Sequence, residues 1–230
     1  MERITVQNIQ IALFLKDSLI KNEFDKAKLL LDLKDKISIF DGNPIQVPVP
    51  ADLPANISVP FIILNSLDKI YSCNISHNRV DFFQKFNTEN RLEDIFTETE
   101  KKLLEIFSFF EGKSEINRVG FVVNNQLETE KNVDFLVDKY LAKDKFPKTK
   151  EVFFRYVSEE KIETIGINKT ITLSGKKDTN LIPVQIDINT LPNQAADFSI
   201  KEEFLKKFLA DTKNKILDFL KDFNYGKQGN

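Results

Sequence analysis

Three arginines at strand-like positions are the residues of this sequence best suited to bind an anion. Arg79, Arg118 and Arg155 each fall in a segment with the apolar alternation of a β-strand. The planar guanidinium group binds a carboxylate or phosphate through two parallel hydrogen bonds, whereas the ammonium group of lysine acts as a point charge. We therefore predict an anion site on a sheet, lined by these arginines and by Asn124 and Asn125.

The same arginines have an alternative role inside the protein, as partners of carboxylates. In this alternative Arg118 pairs with Asp187, or Arg79 pairs with Asp81. Asp187 lies mid-strand between two isoleucines, where a carboxylate either faces solvent or has a designated partner. With a second carboxylate it would support acid–base chemistry or hold Mg²⁺, which is the basis of a further hypothesis, a carboxylate-dependent hydrolase. The sequence identifies no such second carboxylate.

The scarcity of imidazole, thiol and glycine groups argues against the common reaction centres. The chain has one histidine, one cysteine and seven glycines. Cys73 and His77 are four residues apart, which in a strand is roughly 13 Å and too far for a hydrogen bond. Structural zinc needs about four nitrogen or sulfur ligands. Residues 166–170 and 175–177 lack the second glycine of a phosphate-binding loop. We predict no catalytic residue, metal or cofactor, and favour a non-enzymatic protein.

Residues 139–150 form the one basic segment in which aromatic side chains are interleaved with lysines. Such a segment would follow a nucleic-acid backbone while its rings stack on bases. The alternative is an ordinary helix C-terminus, where lysine complements the helix dipole, followed by a loop. The chain carries a net charge of −2, so a nucleic-acid site would have to be a local cluster of cations.

Apolar periodicity predicts the elements that position these side chains. Alternation predicts strands at 3–14, 37–40, 61–64, 69–76, 79–86, 115–127, 150–158, 161–174 and 181–190. Helical spacing predicts helices at 24–34, 91–111, 131–142 and 199–223. Asn90 and Ser199 are the predicted caps of the two long helices. The proline-rich stretch 44–60 is predicted to be an extended connector.

This order of elements predicts the fold class. Strands joined by short turns, with a helix after each group, indicate an α+β fold with a mainly antiparallel sheet built from hairpins and helices packed on one face. The segments 61–111 and 150–223 share the order hairpin then long helix, which suggests a pseudo-repeat. We predict a single domain over residues 1–223, with a subdivision into 1–112 and 113–223 as the alternative, and a flexible tail at 224–230.

Two blocks of sequence carry a family resemblance. The first comprises Pro48-Val-Pro-Ala-Asp-Leu-Pro54, Val59-Pro-Phe-Ile-Ile-Leu-Asn-Ser66 and Asn74-Ile-Ser-His-Asn-Arg-Val-Asp81. The second comprises Arg118-Val-Gly-Phe-Val-Val-Asn124, Gln185-Ile-Asp-Ile188 and the amphipathic final helix. In these blocks the chain resembles a sporadically distributed family of bacterial proteins of about this length. The resemblance implies a single domain and carries no established activity and no site residues.

Location and function are predicted from what the chain contains. It begins without the pattern of a signal peptide, and no apolar run approaches the roughly 20 residues of a membrane helix. One cysteine fits a reducing compartment, so we predict a cytoplasmic protein without membrane contact. The favoured function is a non-enzymatic component that binds a protein partner or associates with itself. The alternatives are a nucleic-acid or nucleotide binder that uses the strand arginines and residues 139–150, and the carboxylate-dependent hydrolase.

Overall fold

A computed structural model describes residues 3–20, 23–48, 59–86, 92–130, 132–141, 145–146, 148–192 and 198–223, which form nine strands and four helices. The strands are β1 (Arg3–Leu15), β2 (Ile45–Gln46), β3 (Ile62–Asn65), β4 (Tyr71–Ile75), β5 (Arg79–Lys85), β6 (Ile116–Glu128), β7 (Glu151–Ile162), β8 (Ile165–Lys176) and β9 (Leu181–Thr190). The helices are α1 (Glu23–Lys36), α2 (Leu92–Glu111), α3 (Asn132–Tyr140) and α4 (Glu202–Lys221).

The nine strands belong to one antiparallel sheet, in the order β2-β3-β4-β5-β1-β6-β9-β8-β7. The predicted α+β fold with a mainly antiparallel sheet is therefore confirmed. β1 and β6 pair at its centre, from Arg3 opposite Glu128 to Leu15 opposite Ile116. Because β1 precedes residue 112 and β6 follows it, the sheet runs across the predicted division of the chain.

Apart from the short edge strand β2, the sheet has the same topology on the two sides of the central β1–β6 pair. On one side β1 is followed by β5, β4 and β3, and on the other side β6 is followed by β9, β8 and β7. Along the chain, each half consists of a strand, a helix, an antiparallel meander and a second helix. The internal repeat is thus longer than the hairpin and helix predicted from the sequence, since it also includes a leading strand and a shorter helix.

Side chains alternate between two faces of the sheet, and the helices cover one of them. In β6, Val119, Phe121 and Val123 are fully buried, whereas Arg118 and Asn124 point to the other face and are only partly buried. All four helices contribute buried apolar residues to the core on the first face. The predicted packing of helices on one face is confirmed. We call the opposite face, which carries Arg118 and Asn124, the open face.

The two long helices lie side by side on the helix-covered face, α2 against β1 and β6 and α4 reaching the edge strand β7. Their apolar residues recur at three- and four-residue spacing, so one stripe of each helix is buried against the strands. Phe96 of α2 stacks on Phe121 of β6 with ring centroids 5.2 Å apart. At the far end of α2, Lys113 forms an ion pair with Asp32 of α1. The Phe96–Phe121 contact fixes α2 to β6, the strand that presents Arg118 on the opposite side, and the ion pair joins α2 to α1.

One predicted strand is absent, and one predicted hairpin turn lies elsewhere. Residues 37–40 form a turn instead of a strand, and the buried Ile37 and Phe40 continue the apolar face of α1 beyond its end. The β7–β8 hairpin turns at Glu163, where φ is 56°, and not at Glu159 and Glu160. The two strands pair without interruption from residue 151 to residue 162, so β7 is longer than the predicted strand at 150–158, and β8 begins four residues later than predicted.

The final helix begins at Glu202, three residues later than predicted. Lys201 is its N-cap residue and makes no side-chain capping bond. The N–H of Ile200 donates to the carbonyl oxygen of Ile116 at 2.6 Å, which keeps the chain extended up to this point. The predicted cap at Ser199 is therefore wrong, and the buried Oγ of this serine has no hydrogen-bond partner among the described residues.

Several predictions fall outside the described part of the chain. They are the cap at Asn90, the tail at 224–230 and residues 49–58 of the proline-rich connector. The described part of that connector contains the two-residue strand β2. Within the described residues, no helix combines the length and the apolarity that a membrane crossing requires.

Candidate functional site

The three strand arginines predicted as an anion site all lie on the open face. Arg79 in β5 and Arg118 in β6 occupy one row of the sheet, with Phe14 of β1 opposite both. Arg155 in β7 lies three rows further along the strands, in the row that continues through Thr172 of β8, Gln185 of β9 and Asn124 of β6. The fold thus brings to one surface three cations that are far apart in the sequence.

Phe14 lies between two guanidinium groups near the centre of the sheet. The guanidinium carbon of Arg79 is 4.9 Å from the ring centroid, and that of Arg118 is 4.5 Å from it. Each contact of this kind contributes about 0.5–1 kcal/mol at a partly exposed site. The negative faces of the ring therefore hold two like charges close to each other, which would otherwise repel.

Arg118 is fixed by neighbours in β9 and does not form the predicted ion pair with Asp187. Its Nε donates to the carbonyl oxygen of Thr190 at 3.0 Å, and its Nη2 donates to Oδ1 of Asn189. The amide of Asn189 in turn donates to Oδ1 of Asp187 at 2.8 Å. Asn189 thus connects the guanidinium group to the carboxylate, and the two charges interact without direct contact.

Arg79 does form the predicted internal ion pair. Its Nη2 lies 2.7 Å and its Nε 3.0 Å from Oδ1 of Asp81. The side-chain amide of Gln10 donates to the same oxygen at 2.9 Å. Three donors on one carboxylate oxygen fix the Asp81 side chain, which is 12% exposed. The alternative of internal pairing is therefore correct for Arg79 and wrong for Arg118.

A chain of side-chain amides crosses the centre of the open face. Asn124 of β6 donates to Oδ1 of Asn8 in β1 at 2.7 Å, and Gln185 of β9 donates to Oδ1 of Asn124 at 2.9 Å. Asn124 lies on the same face as the arginines, six residues along β6 from Arg118. Asn125, in contrast, faces the helices, is 4% exposed and donates to the carbonyl oxygen of Val184 at 3.3 Å. It is not part of the open face.

The smallest side chains of the open face lie between these polar groups. Ala12 of β1 stands opposite Gly120 of β6. Asp81 flanks this pair on the β5 side and Asn189 on the β9 side. A Cβ atom added to Gly120 would make only ordinary contacts, at 3.4 Å from Cβ of Asn189 and 3.8 Å from that of Ala12. The Ala12–Gly120 pair leaves a depression in the open face. The row of Arg79, Phe14 and Arg118 borders this depression on one side.

Asp187 lies within the electrostatic field of all three arginines. Burial raises the pKa of its carboxyl group, and the hydrogen bond from Asn189 and the charges of Arg118, Arg79 and Arg155 oppose that rise. In the sheet register Asp187 is flanked by Val122 and Thr170, so no second carboxylate stands directly beside it. The surroundings of Asp187 are those of an anion held among cations and amides.

The variant Asp187→Asn is expected to gain stability relative to the unmodified protein as pH rises. A raised carboxyl pKa means that the folded state binds the proton more tightly than the unfolded state. This group therefore costs stability as pH increases from the ordinary value of 3.8 through the raised pKa. Urea unfolding from about pH 4 to about pH 7 measures the difference in free energy of unfolding, which is expected to grow in favour of the variant and then level off.

The exposed carboxylate Glu159 provides the control for this prediction. It lies on the open face in β7, so Glu159→Gln removes one negative charge without changing the surroundings of Asp187. A free-energy difference for Asp187→Asn that shrinks with rising pH, or that matches the profile of Glu159→Gln, would show that burial does not govern this carboxyl group.

Cys73 and His77 have separate structural roles. The Cys73 side chain is fully buried in the core, where burial raises the pKa of its thiol. His77 is exposed in the turn between β4 and β5, with its ring 5.4 Å from that of Phe61 and its Nδ1 3.3 Å from Oγ of Ser18. Across the part of the chain that the structure describes, no three His, Cys, Asp or Glu side chains are grouped to hold a metal ion.

The basic segment 139–150 does not extend the arginine surface. The ring of Tyr140 stacks on Phe154 at 4.9 Å, and Phe154 points to the helix-covered face of β7. Lys139 donates to the carbonyl oxygen of Asp222 at 2.7 Å, beyond the end of α4. The first two residues of this segment therefore lie away from the surface that carries the strand arginines. Residues 142–144 and 147 lie outside the described part of the chain.

Sequence reasoning does not single out the β1 and β9 residues that complete the open face. They are Asn8, Gln10, Phe14, Gln185 and Asn189. The regular alternation of β9 contains the signal for its two residues. In β1 a register shift between Val6 and Asn8 breaks the alternation, so the face of each later residue cannot be counted from the start of the strand.

Comparison of the chain with models of known protein families and with curated proteins finds no match. The resemblance to a sporadically distributed bacterial family therefore stays a prediction.

Proposed function

We propose that this chain is a non-enzymatic binding protein that holds a single nucleic-acid strand on the open face of its sheet. The observation that carries the proposal is the placement of Arg79, Arg118 and Arg155 on the open face, which none of the described helices covers and which also carries a row of amide side chains. Cations placed on separate faces would offer no common surface to a phosphate backbone.

The guanidinium groups are the proposed phosphate contacts. Arg118 uses Nε and Nη2 for Thr190 and Asn189, and Arg79 uses the same two atoms for Asp81. Each guanidinium group has five N–H donors in a fixed plane. The internal bonds therefore orient both groups, while the N–H donors of Nη1 make no hydrogen bond to another described residue and remain for a phosphate oxygen.

The amide side chains are the proposed base contacts. Asn8, Asn124 and Gln185 form a hydrogen-bonded row that spans three adjacent strands. An amide both donates and accepts, so it can pair with the edge of an unstacked base, and guanidinium planes provide surfaces on which bases stack. Such contacts need bases whose edges are free, which single strands provide.

The mixed charge of the open face favours a single strand over a duplex. Asp81 and Asp187 share the face with the arginines, and the whole chain has a net charge of −2. Duplex binding depends mainly on neutralising closely spaced phosphates with many cations. A surface with few cations and several amides instead suits a ligand that gains from stacking and base-edge contacts.

Fluorescence anisotropy with a labelled single-stranded oligonucleotide tests the proposal. We expect saturable binding that weakens as salt increases, and weaker binding of the matching duplex at every salt concentration. Absence of binding to both single-stranded DNA and single-stranded RNA at low salt would overturn it. Equal affinity for the duplex would leave a nucleic-acid binder but contradict the preference for a single strand.

Asp187→Asn is expected to tighten this binding by about fivefold. Two unit charges about 4 Å apart interact by about 1 kcal/mol in water-like surroundings, and the variant removes a negative charge from among the three arginines. Anisotropy titrations of both proteins at one salt concentration measure the change. Weaker binding by the variant would mean that the carboxylate contacts the ligand and that the phosphates bind elsewhere.

A second candidate function, a component that binds a protein partner, is favoured by a separate feature. The edge strand β7 exposes the apolar side chains of Phe153, Tyr156 and Val157. The hydrolase hypothesis finds no such support, because the hydrogen-bond partner of Asp187 is Asn189 and its charged neighbours are arginines. The cytoplasmic location and the absence of a cofactor stay predictions.

A further inference from the structure

One side of the sheet ends in a long exposed strand. β7 spans twelve residues, contains no proline and pairs on one side only, with β8. Phe153, Tyr156 and Val157 in this strand are 66%, 47% and 44% exposed. An edge of this length with exposed apolar residues offers a row of backbone N–H and C=O groups to another strand.

The opposite side of the sheet is closed to such pairing. β2 has only two residues, Ile45 and Gln46. Pro44 precedes it and Pro48 follows shortly after, and proline cannot donate a hydrogen bond to a neighbouring strand. Short strands and prolines are the usual protection of a sheet edge. The contrast shows that the β7 edge is the one that lacks this protection.

We propose that β7 pairs with β7 of a second copy of this chain, antiparallel and centred on Val157. This inference rests on the second candidate function, whose partner it identifies as the same protein. A two-fold axis perpendicular to the sheet would pass between the two Val157 residues. Because side chains alternate along a strand, residues of the open face then stand opposite residues of the open face.

The charges of β7 are complementary in this register. Arg155 and Glu159 are equally far from Val157 and on the same face, so each Arg155 stands opposite Glu159 of the second copy. Both side chains are exposed, and neither is within ion-pair distance of an opposite charge in the described part of the chain. Phe153 stands opposite Lys161 of the second copy, whose alkyl chain covers the ring while its ammonium group stays in water.

The neighbouring registers match the charges of β7 less well. Centring the pair on Tyr156 places Arg155 opposite Val157 and Glu159 opposite Phe153. The only opposite charges that it aligns are Glu151 and Lys161 of the second copy, and Glu151 already pairs with Lys176 of its own chain. Centring it on Ser158 places Arg155 opposite Lys161, which brings like charges together twice. Like charges directly opposite each other destabilise a strand pair, and opposite charges stabilise it. The register centred on Val157 is therefore favoured over both.

In such a dimer the two sheets would continue into each other. The perpendicular axis would place both open faces on the same side, with Arg155 of each copy near the junction. The dimer would thus present two arginine and amide surfaces in one extended sheet. Binding by either surface does not require the dimer, so the two proposals can fail independently.

Charge reversal in the full chain tests the dimer and its register. Sedimentation velocity is expected to give a molar mass near twice 26.6 kDa for the unmodified protein. Arg155→Glu alone, or Glu159→Arg alone, is expected to raise the dissociation constant of the dimer at least about tenfold, since two like-charge pairs replace two ion pairs. The double variant Arg155→Glu, Glu159→Arg re-creates both pairs and is expected to restore the dimer. Far-ultraviolet circular dichroism checks that each variant is folded.

Two results would overturn the inference. One is a monomer at every concentration at which the unmodified protein stays in solution. The other is a dimer whose dissociation constant does not change in the single variants, which would place the contact elsewhere. Arg118→Gln is expected to leave the dimer intact, because Arg118 lies in β6 at the centre of the sheet. Loss of oligonucleotide binding and loss of the dimer are therefore separate readouts.

Discussion

Replacement of Arg118 by glutamine is expected to weaken binding of a single-stranded oligonucleotide by about ten- to a hundredfold, because a hydrogen bond to a charged group is worth about 1.5–3 kcal/mol. Arg118 is the cation that β9 and Phe14 together hold in place. Loss of one phosphate contact is also expected to reduce the slope of log affinity against log salt by about 0.7. Anisotropy titrations at several salt concentrations measure both quantities.

Lys206→Gln is the matched control for this variant. Lys206 lies in α4 on the helix side of the sheet and pairs with Glu202 four residues earlier. Its replacement changes the net charge by the same amount without touching the open face. If the two variants weaken binding equally, the effect is one of overall charge, and the open face is not the binding surface.

The conservative variant Arg118→Lys separates geometry from charge. Lysine keeps the positive charge but lacks the planar fork that contacts Thr190 and Asn189. Its affinity is expected to lie between those of the unmodified protein and Arg118→Gln, with the salt slope unchanged. Full affinity in Arg118→Lys would show that orientation by β9 contributes nothing.

Phe121→Ala is expected to lower the free energy of unfolding by about 3–5 kcal/mol, the usual cost of truncating a buried phenylalanine. The ring is fully buried in β6 and stacks on Phe96 of α2 at 5.2 Å with an interplanar angle of 9°. Its removal leaves a cavity between the central strand and a long helix. Urea unfolding followed by circular dichroism measures the loss.

Phe146→Ala provides the control for this core substitution. Phe146 is 48% exposed, so its truncation is expected to change stability by less than about 0.5 kcal/mol. A loss below about 1 kcal/mol for Phe121→Ala would contradict the packing of α2 on β6. If Phe146→Ala lowered the free energy of unfolding as much as Phe121→Ala, the exposed fraction of a phenylalanine would not indicate its contribution to stability in this protein.

The strand pattern could be predicted from the sequence because burial on one face imposes a period of two. The strand predicted at 181–190 matches β9 to the residue, and the one at 115–127 matches β6 to within one residue at each end. Within β6, the even spacing of Arg118 and Asn124 already places them on one face. Arg79 and Arg155 share this face because of the order and register of the strands. The apolar alternation within a single strand does not determine either of these.

The errors come from places where long-range contacts decide. Glu159 and Glu160 resemble a turn because they are charged, yet Glu160 continues β7 and pairs with Lys169 and with Lys215 of α4. Ser199 fits a helix cap, but the bond between Ile200 and Ile116 delays the helix. Apart from Lys169, which lies in the same hairpin as Glu160, these partners are far away in the sequence, so no local pattern reveals them.

The contacts of the arginines also divide into local ones, which the sequence predicts, and long-range ones, which it does not. Arg79 and Asp81 are two residues apart in one strand and therefore share a face, which makes their ion pair predictable from the sequence. Arg118 meets Asn189 through the β6–β9 register, 71 positions along the chain. The sequence alone therefore does not indicate the contacts with β9 that orient Arg118.

Side-chain nitrogen NMR during titration with a single-stranded oligonucleotide tests the binding surface most directly. If the strand binds to the open face, we expect shifts of the Nε resonances of Arg79 and Arg118 and of the side-chain amide resonances of Asn124, with little change in the lysine resonances of α4. Shifts confined to residues of the helices, with these three resonances unmoved at saturation, would contradict it.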